Sequence, residues 1–342
     1  TRVRSSAASD VYKRQAIYFE KEIVNYPLGI QLMEQYKEIP KVEIKNHNNI
    51  EEMRKKQNSE FVNMKSNLII GVRKTHKFVE NYKTSDYLVP YTSSGCTAMC
   101  MYCYLVCNYN KCAYLRLFVN REQMLEKIIK VAKQSEKQLT FEIGSNSDLI
   151  LENTITGNLV WTIENFANTE KGLLTLPTKF EMVDSILPLN HNGKIIIRMS
   201  VNPAEIINKV EFGTSRLKGR IEAINKLVEA GYKIGILIAP VILVENWQQL
   251  YTELIQTLNS ELLEKAKKMA FFEIIFMTYS YVHTKINEEA FPEAINLYDK
   301  EIMTGRGNGK YGYKEKNRIE AEKFLREQMN KYFPNNRIEY VV

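Results

Sequence analysis

Cys96-Thr97-Ala98-Met99-Cys100-Met101-Tyr102-Cys103 constrains this chain more than any other stretch. All five cysteines fall between positions 96 and 112, the other two being Cys107 and Cys112. Such clustering argues against a disulfide framework and for metal binding in a reducing compartment. The 342 residues must then be held by a packed core, and a hydrophobic content of 44% is enough to build one. The spacing C-x3-C-x2-C supplies three thiolates, the usual ligands of iron–sulfur clusters, whereas a [4Fe–4S] cube has four irons. One iron is left without a protein ligand, open to chelation by an external amine and carboxylate.

Radical S-adenosylmethionine (SAM) enzymes use this arrangement to split SAM and form a 5′-deoxyadenosyl radical, so the hard chemistry belongs to the cofactor pair. Two blander readings stand beside it. The triplet can be a structural zinc site completed by Cys107 or Cys112, or a set of inert buried thiols. Two details favour the cluster. Tyr102 places an aromatic ring just before the third cysteine, and the motif follows an apolar stretch over 87–91 that reads as a strand running into a loop. Such a loop is where α/β barrels carry their chemistry.

The first fifteen residues lack apolar periodicity and differ in composition from the Ile/Lys/Asn-rich remainder. They resemble a translated sequencing-adapter string, so 1–15 is set aside as a non-native segment. Residues 16–86 read as an N-terminal α/β extension, with a charged helical stretch over 49–57 and a strand over 67–72. After the cysteine loop, strands over 139–143, 173–176, 195–201, 234–240 and 271–276 alternate with helices over 121–137, 159–168, 216–230 and 247–266. The helix over 216–230 puts Ile221, Ile224, Leu227 and Val228 on one face, as a sheet-covering helix should. Strand–helix alternation predicts a parallel sheet with crossover helices. With 87–91 counted first, the strands number six, short of the eight of a complete barrel. The expected fold class is α/β, a partial (β/α)6 barrel over 87–299. There is no run of 18 apolar residues and no secretory signal pattern, so no membrane partner is expected.

The tail over 300–342 has a different character. Gly305-Arg306-Gly307-Asn308-Gly309-Lys310-Tyr311-Gly312-Tyr313 interleaves glycines with cations and aromatics, and closely spaced glycines suit a tight hairpin. Arg306 and Lys310 suit phosphates, and Tyr311 and Tyr313 suit stacking on bases. An ordinary surface hairpin is the alternative. The net charge of +7 is compatible with a polyanionic partner. A helix over 317–332 and a strand over 337–341 are expected to close the chain.

At this point the residues resemble a known family. Gly95 to Leu105 is similar to the cluster loop of spore photoproduct lyases. Phe141-Glu142-Ile143-Gly144-Ser145-Asn146-Ser147-Asp148, Thr178-Lys179-Phe180, His191-Asn192-Gly193-Lys194, Arg198-Met199-Ser200-Val201-Asn202, Phe212-Gly213-Thr214-Ser215, Ala230-Gly231-Tyr232, Ile238-Ala239-Pro240 and Gly309-Lys310-Tyr311 follow in the family's order. The resemblance spans roughly 67–341 and is to a clostridium-like version. It implies a DNA repair enzyme that reverses a methyl-linked thymine dimer made by ultraviolet light in spores. The deoxyadenosyl radical abstracts a hydrogen from C6 of the lesion, the linking bond breaks, and a thymine-side radical accepts a hydrogen. The lesion must leave the duplex for this.

Residue roles follow from the resemblance. It implies that Cys96, Cys100 and Cys103 hold a [4Fe–4S] cluster and that Ser147, Asp148, Lys179, Ser200 and Ala239 contact SAM. Tyr102 and Tyr104 match tyrosines that relay a hydrogen atom; Arg306, Lys310 and Tyr311 are the DNA-contacting candidates read from the tail's own residues. UV-damaged DNA and an external electron donor such as flavodoxin or ferredoxin are the implied partners, and the cytoplasm of the spore core or germinating spore the implied location. Two departures stand out. Ser145 occupies the place of the family's hydrogen-donor cysteine, and an alcohol O–H bond is much stronger than a thiol S–H bond. The remaining donor candidates are Tyr104, Tyr102, Cys107 and Cys112. The hairpin is also one residue shorter than in relatives and lacks their first tyrosine. The rival readings are another radical SAM enzyme, acting on a nucleotide or peptide, and a zinc-stabilised nucleic-acid-binding protein.

Overall fold

Short runs of β-branched and aliphatic residues form the strands of this protein, and amphipathic stretches between them form its helices. The computed structural model describes residues 13–108 and 114–342. Cys112 and residues 1–12 of the expected foreign segment lie outside the described residues. The chain divides into two units.

The first unit contains the described residues up to Thr97, those from 114 to Leu176, and Asp184–Ile195. Ile17–Glu20 pairs in parallel with Lys41–Ile44 on one side and with Leu68–Gly71 on the other. Leu68–Gly71 continues in parallel to Leu115–Phe118, which is antiparallel to Ser93–Ser94. Leu68–Gly71 and Leu115–Phe118 are buried along their whole length, as central parallel strands require. Ile17, Leu28, Leu32, Tyr36, Leu68, Ile70, Leu115 and Leu117 share one apolar cluster. Separately, Tyr87–Leu88 pairs in parallel with Thr140–Glu142, and that strand with the Leu173–Thr178 strand. Helix Arg121–Gln134 buries Met124, Leu125, Ile128 and Ala132 at helical spacing. Helices Leu149–Thr156 and Asn158–Phe166 are joined by Gly157, whose φ of 66° is the left-handed conformation that ends a helix.

The second unit contains Ala98–Cys107, Pro177–Val183 and Ile196–Val342. Strand Ile195–Val201 pairs in parallel with Lys233–Val241, which pairs with Phe271–Phe276, which pairs with Ile338–Val341. Helices Leu217–Glu229, Trp247–Glu261 and Glu315–Tyr332 accompany them. Met99–Cys100 forms a two-residue antiparallel pair with Glu211–Phe212, placing Cys100 opposite Glu211. Met303–Gly305 and Lys310–Tyr313 form the expected hairpin, and Tyr279–Ser280 adds a third antiparallel strand. The turn takes φ values of 84°, 51° and 69° at Gly307, Asn308 and Gly309, three left-handed residues in a row. That is why the sequence there is Gly-Asn-Gly.

The strands expected over 195–201 and 271–276 have those bounds. The expected strand over 87–91 is shorter, Tyr87–Leu88. The single helix expected over 247–266 is two, Trp247–Glu261 and Glu264–Met269. Leu262 and Leu263 are extended there. Asn225 bridges the break, donating to Glu261 O at 2.9 Å and accepting from Leu263 N at 2.9 Å. Those backbone groups are therefore satisfied without the helix continuing. Among the described residues no helix is long and apolar enough to cross a membrane.

Candidate active site

The second unit gathers three of the expected SAM contacts. Lys179 directly follows the strand ending at Thr178, Ser200 lies near the end of Ile195–Val201, and Ala239 near the end of Lys233–Val241. All three sit at C-terminal strand ends, the functional rim of α/β folds. Lys179 Nζ donates to Ser200 Oγ at 2.6 Å and to Ala239 O at 2.8 Å. Ser200 Oγ also donates to Ala239 O at 2.8 Å.

Glu211, absent from the expected set, is the hub of this group. Its Oε1 accepts from Lys179 Nζ at 3.0 Å, from Asn202 Nδ2 at 2.9 Å and from the Tyr102 hydroxyl. Its Oε2 accepts from Arg220 Nη2 at 2.5 Å. Glu211 and Arg220 are 0% exposed, whereas Lys179 is 21% exposed. Burial alone pushes the Glu211 carboxyl up, but Lys179 and Arg220 outweigh it and hold it down at about 2. Two cations thus share one carboxylate, and the surplus positive charge emerges at the half-exposed Lys179. Burial, and then the Glu211 charge, push the Tyr102 phenol well above its ordinary value, so it stays protonated. Nothing in the sequence marks Glu211 except its position just before Phe212-Gly213-Thr214-Ser215. It sits far in sequence from Lys179 and Tyr102, two of the side chains it joins to Arg220.

The cysteine loop is anchored by its backbone in the same unit. Met101 N donates to Val210 O at 3.0 Å, and Asn287 Nδ2 donates to Met101 O at 2.9 Å. His283 Nε2 lies 3.1 Å from Cys103 O. Burial lowers the pKa of His283, which favours the neutral ring. Cys107 Sγ lies 3.4 Å from Ser280 Oγ and 3.7 Å from His283 Nε2. Tyr104 exposes 50% of its surface, unlike Tyr102. Tyr102 alone of the two is bonded to the Glu211 carboxylate.

The first unit holds Cys96, Ser145, Ser147 and Asp148. Lys65 Nζ donates to Cys96 O at 2.8 Å, and Gly95 N to Asn146 O at 2.8 Å. The backbone is thereby drawn past Ser147, with which Gly95 forms a parallel bridge. Ser147 Oγ is 2.7 Å from Ser93 Oγ. Ser93 in turn bonds Glu152 Oε2 at 2.5 Å, which also accepts from Thr92 Oγ1 at 2.9 Å. Asn158 Nδ2 donates to Glu152 Oε1 at 2.6 Å. Asp148 Oδ1 caps helix Leu149–Thr156, accepting from Ile150 N at 3.1 Å and Leu151 N at 3.2 Å. Ser145 is half-buried in the loop after Thr140–Glu142. Glu152 and Ser93 were likewise invisible to sequence reasoning, since a lone Glu in a helix and a lone Ser carry no pattern.

On the hairpin, Arg306 and Lys310 are exposed. Arg306 Nη2 donates to Tyr313 O at 2.8 Å. Tyr311 packs against Tyr298 with ring centroids 4.6 Å apart.

The donors present fit a cluster and SAM. Cys96, Cys100 and Cys103 are half-buried and in no disulfide, and the surplus cation at Lys179 suits a ligand carboxylate. Among the described residues no three His, Cys, Asp or Glu side chains form a group around a single metal ion. A cube gives each thiolate its own iron and does not ask for that.

The comparisons with known proteins agree with this chemistry. The profile of the spore photoproduct lyase family matches residues 12–342. A Bacillus subtilis protein named spore photoproduct lyase is 33% identical over 335 residues, which cover 95% of this chain and 97% of that one. A Clostridium acetobutylicum protein of the same name is 30% identical over 334 residues, covering 95% and 98%. A solved double mutant of spore photoproduct lyase with bound AdoMet and dinucleoside spore photoproduct superposes with a TM-score of 0.89 at 31% identity, covering 96% of this chain and 99% of that one. A spore photoproduct lyase complexed with dinucleoside spore photoproduct alone gives the same TM-score, identity and coverage. With family profile, full-length relatives and fold in agreement, the chain belongs to the spore photoproduct lyase family, and its fold class is the α/β partial barrel of radical SAM enzymes.

Proposed function

We propose that this chain is a radical SAM lyase that repairs UV-damaged DNA by returning spore photoproduct to two thymines. The observation that carries the reading is the Lys179–Ser200–Ala239–Glu211 group. It presents one surplus cation on the strand-end rim and is tied through Glu211 to the backbone of Cys100.

When bound, a [4Fe–4S] cluster with SAM supplies a 5′-deoxyadenosyl radical, the reagent that takes a hydrogen atom from C6 of the lesion. Cys96, Cys100 and Cys103 would hold the cluster. Lys179 draws a carboxylate by its surplus charge and exchanges its bond to Ala239 O for a charge-assisted one to the ligand, while Ser200 and Glu211 keep hold of it. The Ala239 carbonyl, which accepts from Lys179 and Ser200, accepts from an ammonium once Lys179 turns to the carboxylate. Ser147, Asp148 and Ser200 meet the other polar groups of the ligand. Tyr102 and Tyr104 relay the hydrogen atom, and Ser145 does not, because its O–H bond is too strong. Arg306 and Lys310 grip phosphates while Tyr311 supports the hairpin against bases, which makes 300–342 the DNA-contacting segment. The reaction would need an external electron donor of the flavodoxin or ferredoxin kind, and its proposed location is the cytoplasm of the spore core or germinating spore.

The test is anaerobic incubation with SAM, a reductant and spore-photoproduct dinucleotide, with chromatographic assay of the thymidine products. Lesion reversal is expected. SAM cleavage without reversal would move the chain to another radical SAM reaction. In the same preparation Cys100→Ala should lose the cluster iron and Cys107→Ala should keep it. Equal loss from both would overturn the ligand assignment.

A further inference from the structure

Lys179 carries its charge on a flexible four-carbon stem, and such a side chain binds tightly only if something holds it still. Its three N–H bonds have three acceptors, Ser200 Oγ, Ala239 O and Glu211 Oε1. Ser200 has one hydroxyl hydrogen and gives it to Ala239 O, so it faces Lys179 with a lone pair. Glu211 is the acceptor with connections beyond the pair. Its Oε2 is fixed by Arg220, whose other bonds run to Ser215 O at 2.9 Å, Ser200 O at 2.9 Å and Thr214 Oγ1 at 2.8 Å. A guanidinium with all these partners cannot swing, so the plane of the Glu211 carboxylate is set by Arg220. Oε1 is then aimed at Lys179, Asn202 and Tyr102 together. The backbone of the same residue lies opposite Cys100.

We propose that Glu211 is a positioning residue. Through its side chain it fixes Lys179 and Tyr102, through its backbone it registers them against the cysteine loop, and so it sets the affinity for the amino-acid end of SAM. The inference rests on the reading of this wall as a SAM site. Arg220 acts at one remove, as the anchor of the anchor. Neither side chain is exposed, so neither touches a ligand itself.

Glu211→Asp tests it. The shorter acid keeps the charge between Lys179 and Arg220, but cannot reach both sides at once. The reconstituted protein is titrated anaerobically with SAM, following the change in the electron paramagnetic resonance signal of the reduced cluster. Iron content and melting temperature are measured alongside. The wild type is expected to show a saturable SAM-dependent change. The variant, with normal iron content, should need roughly ten- to a hundredfold more SAM, the range for one charge-assisted contact misplaced. In a Lys179→Met background the same Glu211→Asp change should shift the titration less than about twofold, because Glu211 acts through Lys179. If Glu211→Asp does not fold, the charge-balanced pair Glu211→Gln with Arg220→Met replaces it and should show the same weakening. Wild-type-like SAM affinity in either variant overturns the proposal, as does a full loss persisting beside Lys179→Met. A wild type with intact cluster but no SAM response overturns the reading of the site itself, and with it this inference.

Discussion

Glu152 and Glu211 are both completely enclosed carboxylates, and each backs a side chain expected to touch the same ligand. Glu152 reaches Ser147 through Ser93, in the first unit. Glu211 bonds Lys179 directly, in the second. Their surroundings are opposite. Glu152 meets only neutral donors: Thr92, Ser93, Thr156 and Asn158. Burial raises its pKa, and those hydrogen bonds offset only part of the rise. Glu211 meets two cations, and its carboxyl is held down at about 2. The difference teaches that burial does not by itself decide the state of an acid. Neighbouring full charges do, because they interact with the ionised form far more strongly than hydroxyl dipoles can.

The largest expected effect follows from that contrast. Glu211→Gln leaves Lys179 and Arg220 without their shared carboxylate. Removing one partner of a buried ion pair costs about 3–5 kcal/mol. Urea denaturation of the apo protein should show a loss of that size, against about 1 kcal/mol for Glu152→Gln, where only neutral bonds are rearranged. Equal losses would break the comparison.

How much of this was legible in the sequence follows from the same physics. Parallel strands of the second unit, such as 195–201 and 271–276, announce themselves because a central strand is a mostly apolar run with sharp ends, here interrupted only by Arg198, Ser200 and Glu273. The cysteine triplet and the Gly307-Asn308-Gly309 turn are legible because their chemistry needs specific residues at adjacent positions. Lys179, Ser200 and Ala239 stood out only through matching motifs, and the structure brings them within hydrogen-bonding distance. Glu211 and Glu152 were not legible, because a supporting carboxylate is defined by partners brought together in space. Glu211 is 32 residues from Lys179 and 109 from Tyr102. The break near Leu262 was missed for the same reason, since its cause is Asn225, on another helix.

A smaller effect sharpens the comparison through pH. The folded pKa of Glu211, about 2, lies below the unfolded value of 4.5. Its contribution is therefore fully present above about 4.5 and is lost as pH falls toward 2. The folded pKa of Glu152 is raised above 4.5, so its sign is reversed. What it contributes is fully present below 4.5 and is lost as pH rises through the folded value. The cost of Glu211→Gln should thus shrink as pH is lowered from 7 to 3. The cost of Glu152→Gln should instead be greatest in acid and fall as pH rises to 7. Denaturant midpoints of wild type and both variants across that range check the two slopes. Parallel slopes would mean that the two acids share one kind of environment after all.

The smallest effect concerns the direction of one hydrogen. Ser93 has a single hydroxyl hydrogen and two close oxygens, Glu152 Oε2 at 2.5 Å and Ser147 Oγ at 2.7 Å. Ser93 is the donor in both contacts, so Glu152 and Ser147 compete for its one hydrogen; above its raised pKa Glu152 can only accept, and as the stronger acceptor it draws that hydrogen away from Ser147. The Ser147 hydroxyl can then turn its lone pairs to a ligand. In Glu152→Gln the amide Nε2 can stand where Oε2 stood and donate to Ser93, turning its hydroxyl toward Ser147. Ser147 would then offer its own hydrogen outward. The fold should lose about 1 kcal/mol, because the Thr92 hydroxyl loses Oε2 as its acceptor. SAM affinity should fall severalfold, since Ser147 would present the wrong end of its hydroxyl. Ser93→Ala removes the relay altogether and lets Ser147 turn freely, so it should fall between wild type and Glu152→Gln in SAM titration. If Glu152→Gln binds SAM as the wild type does, the hydrogen on Ser147 does not point where the carboxylate dictates. The first-unit acid would then be a packing element and no counterpart to Glu211.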